Sequence, residues 1–191
     1  MSSDLIQAVD FSHLLLKEHI EAGSVVLDAT TGNGLDTKFM AELVGEGGHV
    51  YGFDIQEEAI EETEILLKET GLCDRVSLFC AGHEDMETYI TEELTVAIFN
   101  LGFMPGGNKE IKTEKESSLK ALKSAIKLIK EDGLIILVMY SGHPGGQEEK
   151  DTLMDYSESL KQEDFNVAHY HFINQKNSPG ELLTIKKRIK N

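Results

Sequence analysis

Three glycine-bearing turns, with the polar residues beside them, have the residue types and spacing to do chemistry. The first is Val25-Val-Leu-Asp-Ala-Thr-Thr-Gly-Asn-Gly34, where Gly32 and Gly34 follow an apolar run and precede a helix-forming stretch. Glycine has no Cβ and tolerates positive φ, so the backbone of such a turn can lie close against a ligand. Asp54 closes the next apolar run, about twenty residues further on, a spacing that suits a carboxylate accepting hydrogen bonds from both ribose hydroxyls of a nucleoside. Strand, glycine turn, helix, strand and terminal acid in register point to a nucleoside site. Its candidate residues are Asp28, Thr30, Gly32, Asn33, Gly34 and Asp36 on the turn, with Asp54, Ile55 and Gln56 on the second strand end. The alternative is a structural turn and a surface aspartate.

The turn also discriminates between nucleosides. A nicotinamide dinucleotide favours G-x-G-x-x-G, whose last glycine packs the helix on the strand. Here Gly32-Asn-Gly34-Leu-Asp-Thr37 has threonine in the third place. Asp28 would repel a pyrophosphate but could help hold a cationic amino-acid group, which S-adenosylmethionine has and a dinucleotide lacks. The electrostatics favour the methyl donor over a dehydrogenase cofactor. Further along, Ala81-Gly-His-Glu84 follows a third strand-like run, where His83 and Glu84 can meet an adenine. Each is also an ordinary residue for a loop.

The second turn is Asn100-Leu-Gly-Phe-Met-Pro-Gly-Gly-Asn108. It resembles the strand end of amino-group methyltransferases, where Asn or Asp is followed by Pro, Pro and an aromatic residue. Asn100 and Phe103 match the outer positions, while Leu101 and Gly102 replace the prolines. In those enzymes the Asn or Asp oxygen and a nearby carbonyl accept hydrogen bonds from the target amine, and the aromatic ring stacks on the substrate. The resemblance implies these roles for Asn100 and Phe103, with Gly102 beside the donor. Methyl transfer to a neutral amine is a direct displacement, so positioning can supply most of the acceleration, and water can accept the proton. The third turn, Tyr140-Ser-Gly-His-Pro-Gly-Gly146, would adjoin the second. Its density of glycine and proline marks a shaped loop. Tyr140 could stack or hydrogen-bond, and His143 could orient the substrate, act as a base or be structural. The polar loop Asn174-Gln-Lys-Asn-Ser-Pro-Gly180 would face the same rim.

These turns need a scaffold, and hydrophobic periodicity supplies one. Helices are predicted over residues 5–19, 35–44, 57–70, 117–130 and 147–160. Gly71 is placed to cap the third, and Asp132-Gly133 to close the fourth. Strands are predicted over residues 24–27, 49–53, 75–79, 94–99, 134–140, 165–172 and 182–187. Alternation of the two predicts an α/β, Rossmann-like fold: a seven-stranded, mostly parallel sheet with helices on both faces. The last two strands have no helix between them, so one should run antiparallel at the sheet edge. No linker divides the chain, and residues 1–191 read as a single domain.

Composition narrows the function classes. The longest apolar stretch, residues 133–140, is far too short to span a bilayer, and no secretion signal opens the chain. Cys73 and Cys80 form neither a disulfide framework nor a metal spacing. These features predict a cytoplasmic protein without membrane or metal. A net charge of −16 argues against a general nucleic-acid coat. Residues 109–130 depart from that background with seven lysines against three glutamates, as does the tail Lys186-Lys-Arg-Ile-Lys190. Either could contact RNA or be a solvated surface.

Together, Asp28-Ala-Thr-Thr-Gly-Asn-Gly34, Asn100-Leu-Gly-Phe-Met-Pro-Gly-Gly107, Gly142-His-Pro-Gly-Gly146 and Asn174-Gln-Lys-Asn177 resemble the bacterial rRNA methylase family over nearly the whole chain. The resemblance implies the class I methyltransferase fold and S-adenosylmethionine as donor. The family includes an enzyme that methylates the aminomethyl group of 5-aminomethyl-2-thiouridine at the tRNA wobble position. It therefore implies tRNA, through its anticodon loop, as partner, with rRNA as the looser alternative. A homodimer would extend the RNA surface of so small an enzyme. Other readings are a methyltransferase of small-molecule or protein amines and a noncatalytic donor-binding module.

Overall fold

The structure, a computed structural model, describes residues 5–102, 113–176 and 179–190. Seven strands form one sheet: β1 (Val25–Asp28), β2 (His49–Asp54), β3 (Val76–Cys80), β4 (Leu94–Leu101), β5 (Ile129–Met139), β6 (Phe165–Tyr170) and β7 (Glu181–Lys187). Their order is β3-β2-β1-β4-β5-β7-β6. The helices are α1 (Ala8–His19), α2 (Leu35–Val44), α3 (Glu57–Thr70), α4 (Lys115–Leu128) and α5 (Gly146–Glu158). The order reverses between β1 and β4, which pair in parallel, so their carboxyl ends open a crevice.

Burial on both sides explains the unbroken apolar runs of the central strands. Ala97, Phe99 and Leu101 of β4, with Ile135 and Leu137 of β5, pack on one face with Leu122 of α4 and Leu153 of α5. Their alternating neighbours Val96, Ile98, Ile136 and Val138 pack on the other face with Leu16 of α1, Met40 of α2 and Leu67 of α3.

The predicted elements are present, with boundary differences that have physical causes. Gly71 caps α3 in the left-handed region, at φ 69°, as its position implied. The antiparallel strand is present too. It is β7, inserted between β5 and β6, so the edge itself is β6. The fourth helix ends at Leu128, earlier than predicted, because Ile129 enters the sheet opposite Leu94. Asp132-Gly133 therefore does not close a helix. Asp132, at φ 60°, turns the chain within β5, where the β4 register shifts between Leu94 and Val96. A short 3₁₀ helix, His83–Thr88, stands where a loop was expected. Among the described residues no helix is long and apolar enough to cross a membrane.

Candidate active site

The first glycine turn leaves the end of β1 and reaches across to β2. The Thr31 amide donates to the Phe53 carbonyl at 2.9 Å, and the Gly32 amide donates to Asp54 Oδ2 at 2.9 Å. Asp54 Oδ1 accepts from the Gln56 amide at 3.0 Å, so the carboxylate is clamped between two strand ends. A carboxylate has about four lone-pair sites, and two backbone bonds leave room for a diol. Gly34, at φ 77°, starts α2, and an added Cβ would lie 2.6 Å from Thr63 Oγ1. Glycine is demanded here twice, by conformation and by the close approach of α3.

Asp28 lies beneath the turn. It is fully buried, accepts from the Thr37 hydroxyl at 2.6 Å and the Thr30 amide at 3.2 Å, and does not line the crevice. Burial, followed by the charge of Asp36, pushes its pKa up to about 7. Of the two aspartates on this turn it is Asp36, the second residue of α2, that lines the wall.

Between the strand ends lies a cavity of about 1050 Å³. Thr30, Gly32, Asn33, Asp36, Asp54, Ile55, Gln56, His83, Glu84, Asn100, Gly102, Tyr140 and His143 all line it. The structure thus brings together the predicted residues from all three turns, with Asp28 and Gly34 behind the wall. Phe103 lies outside the described residues, as do the basic positions Lys109 and Lys112.

His83 is buried, and its Nδ1 lies 3.1 Å from the Ala29 carbonyl. A carbonyl only accepts, so Nδ1 carries the proton and Nε2 is an acceptor. Burial lowers the His83 pKa, which keeps the ring neutral at physiological pH.

At the other end of the cavity, the Asn100 amide N–H donates to Thr30 Oγ1 at 2.7 Å, tying β4 to the first turn. Its side-chain Nδ2 donates to Asp36 Oδ2 at 2.5 Å. Tyr140 and His143 are framed by glycines. An added Cβ at Gly180 would come within 2.9 Å of the Tyr140 ring, and one at Gly146 within 2.8 Å of His143 Nε2. Burial and then the charge of Asp36 raise the Tyr140 pKa, so its hydroxyl keeps its proton at neutral pH. Past the β4 end, the Thr113 amide donates to the Gly102 carbonyl at 2.9 Å. The Thr113 hydroxyl and Ser118 donate to the buried carboxylate of Glu149 at 3.0 and 2.6 Å.

Sequence reasoning missed His13. It lines the cavity with Val9, one turn apart on α1, and its Nε2 lies 2.6 Å from Asp36 Oδ1. The i, i+4 spacing of Val9 and His13 is legible, but which face of α1 meets the cavity is not. Thr113, Glu114 and Ser117, which also line the cavity, were missed for the same reason.

A family model described as "Putative rRNA methylase" matches residues 50–186. The chain belongs to the rRNA methylase family. It is an S-adenosylmethionine-dependent methyltransferase. It is 38% identical to an Arabidopsis thaliana tRNA (mnm(5)s(2)U34)-methyltransferase, chloroplastic, over 95% of this chain and 70% of that protein. The crystal structure of an rRNA methylase family protein from Clostridium thermocellum superposes with a TM-score of 0.94 at 40% identity, covering 96% of this chain and 99% of that one. A Streptococcus mutans methyltransferase solved in complex with SAH superposes at 0.88 and 32% identity, with the same coverage.

Proposed function

We propose that this rRNA methylase family protein methylates the aminomethyl group of 5-aminomethyl-2-thiouridine at the wobble position of tRNA. The observation that carries this reading is the orientation of Asn100. A carboxylate can only accept, so Asp36 must face the amide nitrogen, and Oδ1 is left to accept a hydrogen bond on the cavity side. A neutral carbonyl oxygen at that point can take one amine N–H and aim the nitrogen lone pair along the transfer axis. When bound, S-adenosylmethionine supplies an electrophilic methyl carbon whose bond to sulfur breaks as the bond to nitrogen forms. The proton that the amine loses goes to water.

The remaining residues divide between the two reactants. Asp54 accepts from the ribose hydroxyls, with Ile55 and Gln56 alongside. His83 Nε2 and Glu84 face the adenine. Thr30, Gly32 and Asn33 hold the amino-acid end near Gly102, Asp36 stands beside that end bonded to Asn100, and Gly34 shapes the turn. Asp28 acts on that end only from beneath, through Thr30 and Thr37. Tyr140 and Phe103 stack on the base, and His143 orients it. A wobble base lies in a single-stranded loop and enters such a pocket with little unpairing cost. The Arabidopsis relative, whose name specifies this tRNA activity, supports the assignment.

Lys109, Lys112 and Lys115 are the proposed phosphate contacts. Lys115 also pairs with Glu148 at 3.6 Å, and the C-terminal basic residues are engaged within the fold, Lys186 with Asp132 at 3.0 Å and Lys190 with Asp164 at 3.1 Å. The protein would work in the cytoplasm, as one domain or a homodimer. Charge reversal at the three lysines should weaken tRNA binding and flatten its salt dependence. Unchanged affinity would reject that docking surface.

The deciding experiment is methyl transfer from labelled S-adenosylmethionine to tRNA from a strain lacking the enzyme, followed by nucleoside mass spectrometry. Appearance of methylaminomethyl-2-thiouridine is expected. No transfer to properly aminomethylated tRNA would move the search to rRNA, or to the small-molecule and protein amines that the net charge of −16 accommodates more easily.

A further inference from the structure

We propose that His13 is a positioning residue for methyl transfer: through Asp36 it holds the Asn100 amide in the orientation that receives the acceptor amine. The inference rests on the amine reading given above. Three residues from three elements form one continuous chain. His13 Nε2 of α1 lies 2.6 Å from Asp36 Oδ1 of α2, and Asp36 Oδ2 accepts from Asn100 Nδ2 of β4 at 2.5 Å. Both carboxylate oxygens are thereby used, each on a different partner.

Fixing Asp36 in this way has two chemical consequences. The first is geometric. An asparagine side chain can rotate and exchange its two ends, and only a fixed carboxylate keeps Nδ2 inward and Oδ1 toward the acceptor. The second is electrostatic. A carboxylate free in this cavity would hold the substrate as an ammonium ion, which has no lone pair to attack the methyl group. Engaged by His13 and Asn100, Asp36 presents less charge to the substrate, and the neutral Asn100 oxygen presents itself instead.

His13 is itself held in place. Its ring stacks on Phe39 of α2, with centroids 4.9 Å apart and planes at 24°. Its hydrogen bond to Asp36 and the charges of Asp36 and Asp10 raise its pKa, although partial burial opposes them. Asp36 in turn is felt by Asp28 and by Tyr140. When protonated, the imidazole balances charge in a site that gathers carboxylates. The leading helix, which carries His13, completes the acceptor end from outside the three glycine turns.

The test compares wild type, His13→Ala and His13→Gln with aminomethylated tRNA and S-adenosylmethionine, alongside calorimetric affinity for SAH. For His13→Ala, a kcat about 10- to 100-fold lower is expected, the scale of a misplaced reactant. SAH affinity should stay within about twofold, since the imidazole reaches the donor only through Asp36. Gln can donate to Asp36 from its own amide, so His13→Gln should recover most of the lost kcat. A His13→Ala enzyme with wild-type kcat, parallel losses of kcat and SAH affinity, or no recovery in His13→Gln would each overturn the proposal. NMR titration gives a readout free of substrate. The His13 imidazole should titrate above the ordinary histidine value of about 6.5 in wild type and fall toward it in Asp36→Asn. Coupling seen by NMR beside an unaffected kcat would sink the proposal while leaving the amine reading intact. Absence of any transfer by wild type to aminomethylated tRNA would overturn both.

Discussion

In the proposed assignment, the donor end of the cavity comes from residues 28–36 and 54–56, at the ends of neighbouring strands β1 and β2, with His83 and Glu84 after β3. Its bonds are largely backbone to carboxylate, such as the Gly32 and Gln56 amides on Asp54. The acceptor end is made otherwise. It draws Asn100 from β4, Tyr140 and His143 from beyond β5, and His13 from α1, and Gly180, just before β7, packs on the Tyr140 ring. One end is built from local strand-end turns. The other is a convergence of distant segments and can be retuned piece by piece.

Substitutions should separate the two ends. The largest effect is expected from Asn100→Ala, which removes the amine's acceptor and should lower kcat about 100-fold with SAH affinity nearly unchanged. An equal fall in both, measured by steady-state kinetics and calorimetry, would mean that Asn100 builds the donor end. Next comes Asp54→Ala. It removes the diol acceptor and strands two backbone amides, so donor affinity should drop about tenfold or more, at roughly 1.5–3 kcal/mol for hydrogen bonds to a charged group. With saturating donor, kcat should recover; a kcat that stays low would place Asp54 at the acceptor end.

Gly34→Ala tests the turn itself. Positive φ alone costs a side chain about 1–2 kcal/mol, and the Cβ would also press on Thr63. Thermal melting should report that loss, and adding Thr63→Ala should restore only part of it. A separate effect, on stability against pH, concerns Asp28. Its pKa is raised to about 7 by burial, against an ordinary 3.8, so its stabilising contribution is present below that ordinary value and is lost as pH rises through about 7. Relative to wild type, Asp28→Asn should therefore gain thermal stability as pH rises across that interval. A melting difference independent of pH would show that Asp28 stays ionised.

Much of the donor end was legible because it is contiguous in sequence. Gly32, Gly34 and Asp54 announce a turn and a terminal acid whatever lies elsewhere, and the structure joins them by one hydrogen bond. Asp28 and Asp36 were not told apart, because two carboxylates eight residues from each other on one turn differ only in depth. The three-dimensional packing sends Asp28 under α2 against Thr37 and leaves Asp36 on the wall. The end of α4 was misplaced for a similar reason. Helical periodicity runs on past Leu128, and only the pairing of Ile129 with Leu94 takes the chain into the sheet.

The sequence by itself determined the layered α/β architecture, since alternating apolar runs and amphipathic stretches can bury their faces in few other ways. It also marked the glycine turn after β1 and the acid Asp54 that ends β2. Tertiary structure alone decided which way the Asn100 amide points, which aspartate faces the ligand and that His13 stands behind it. Those depend on contacts between residues 23 and 64 positions apart, and side-chain orientation at such range follows from packing, which no local pattern encodes.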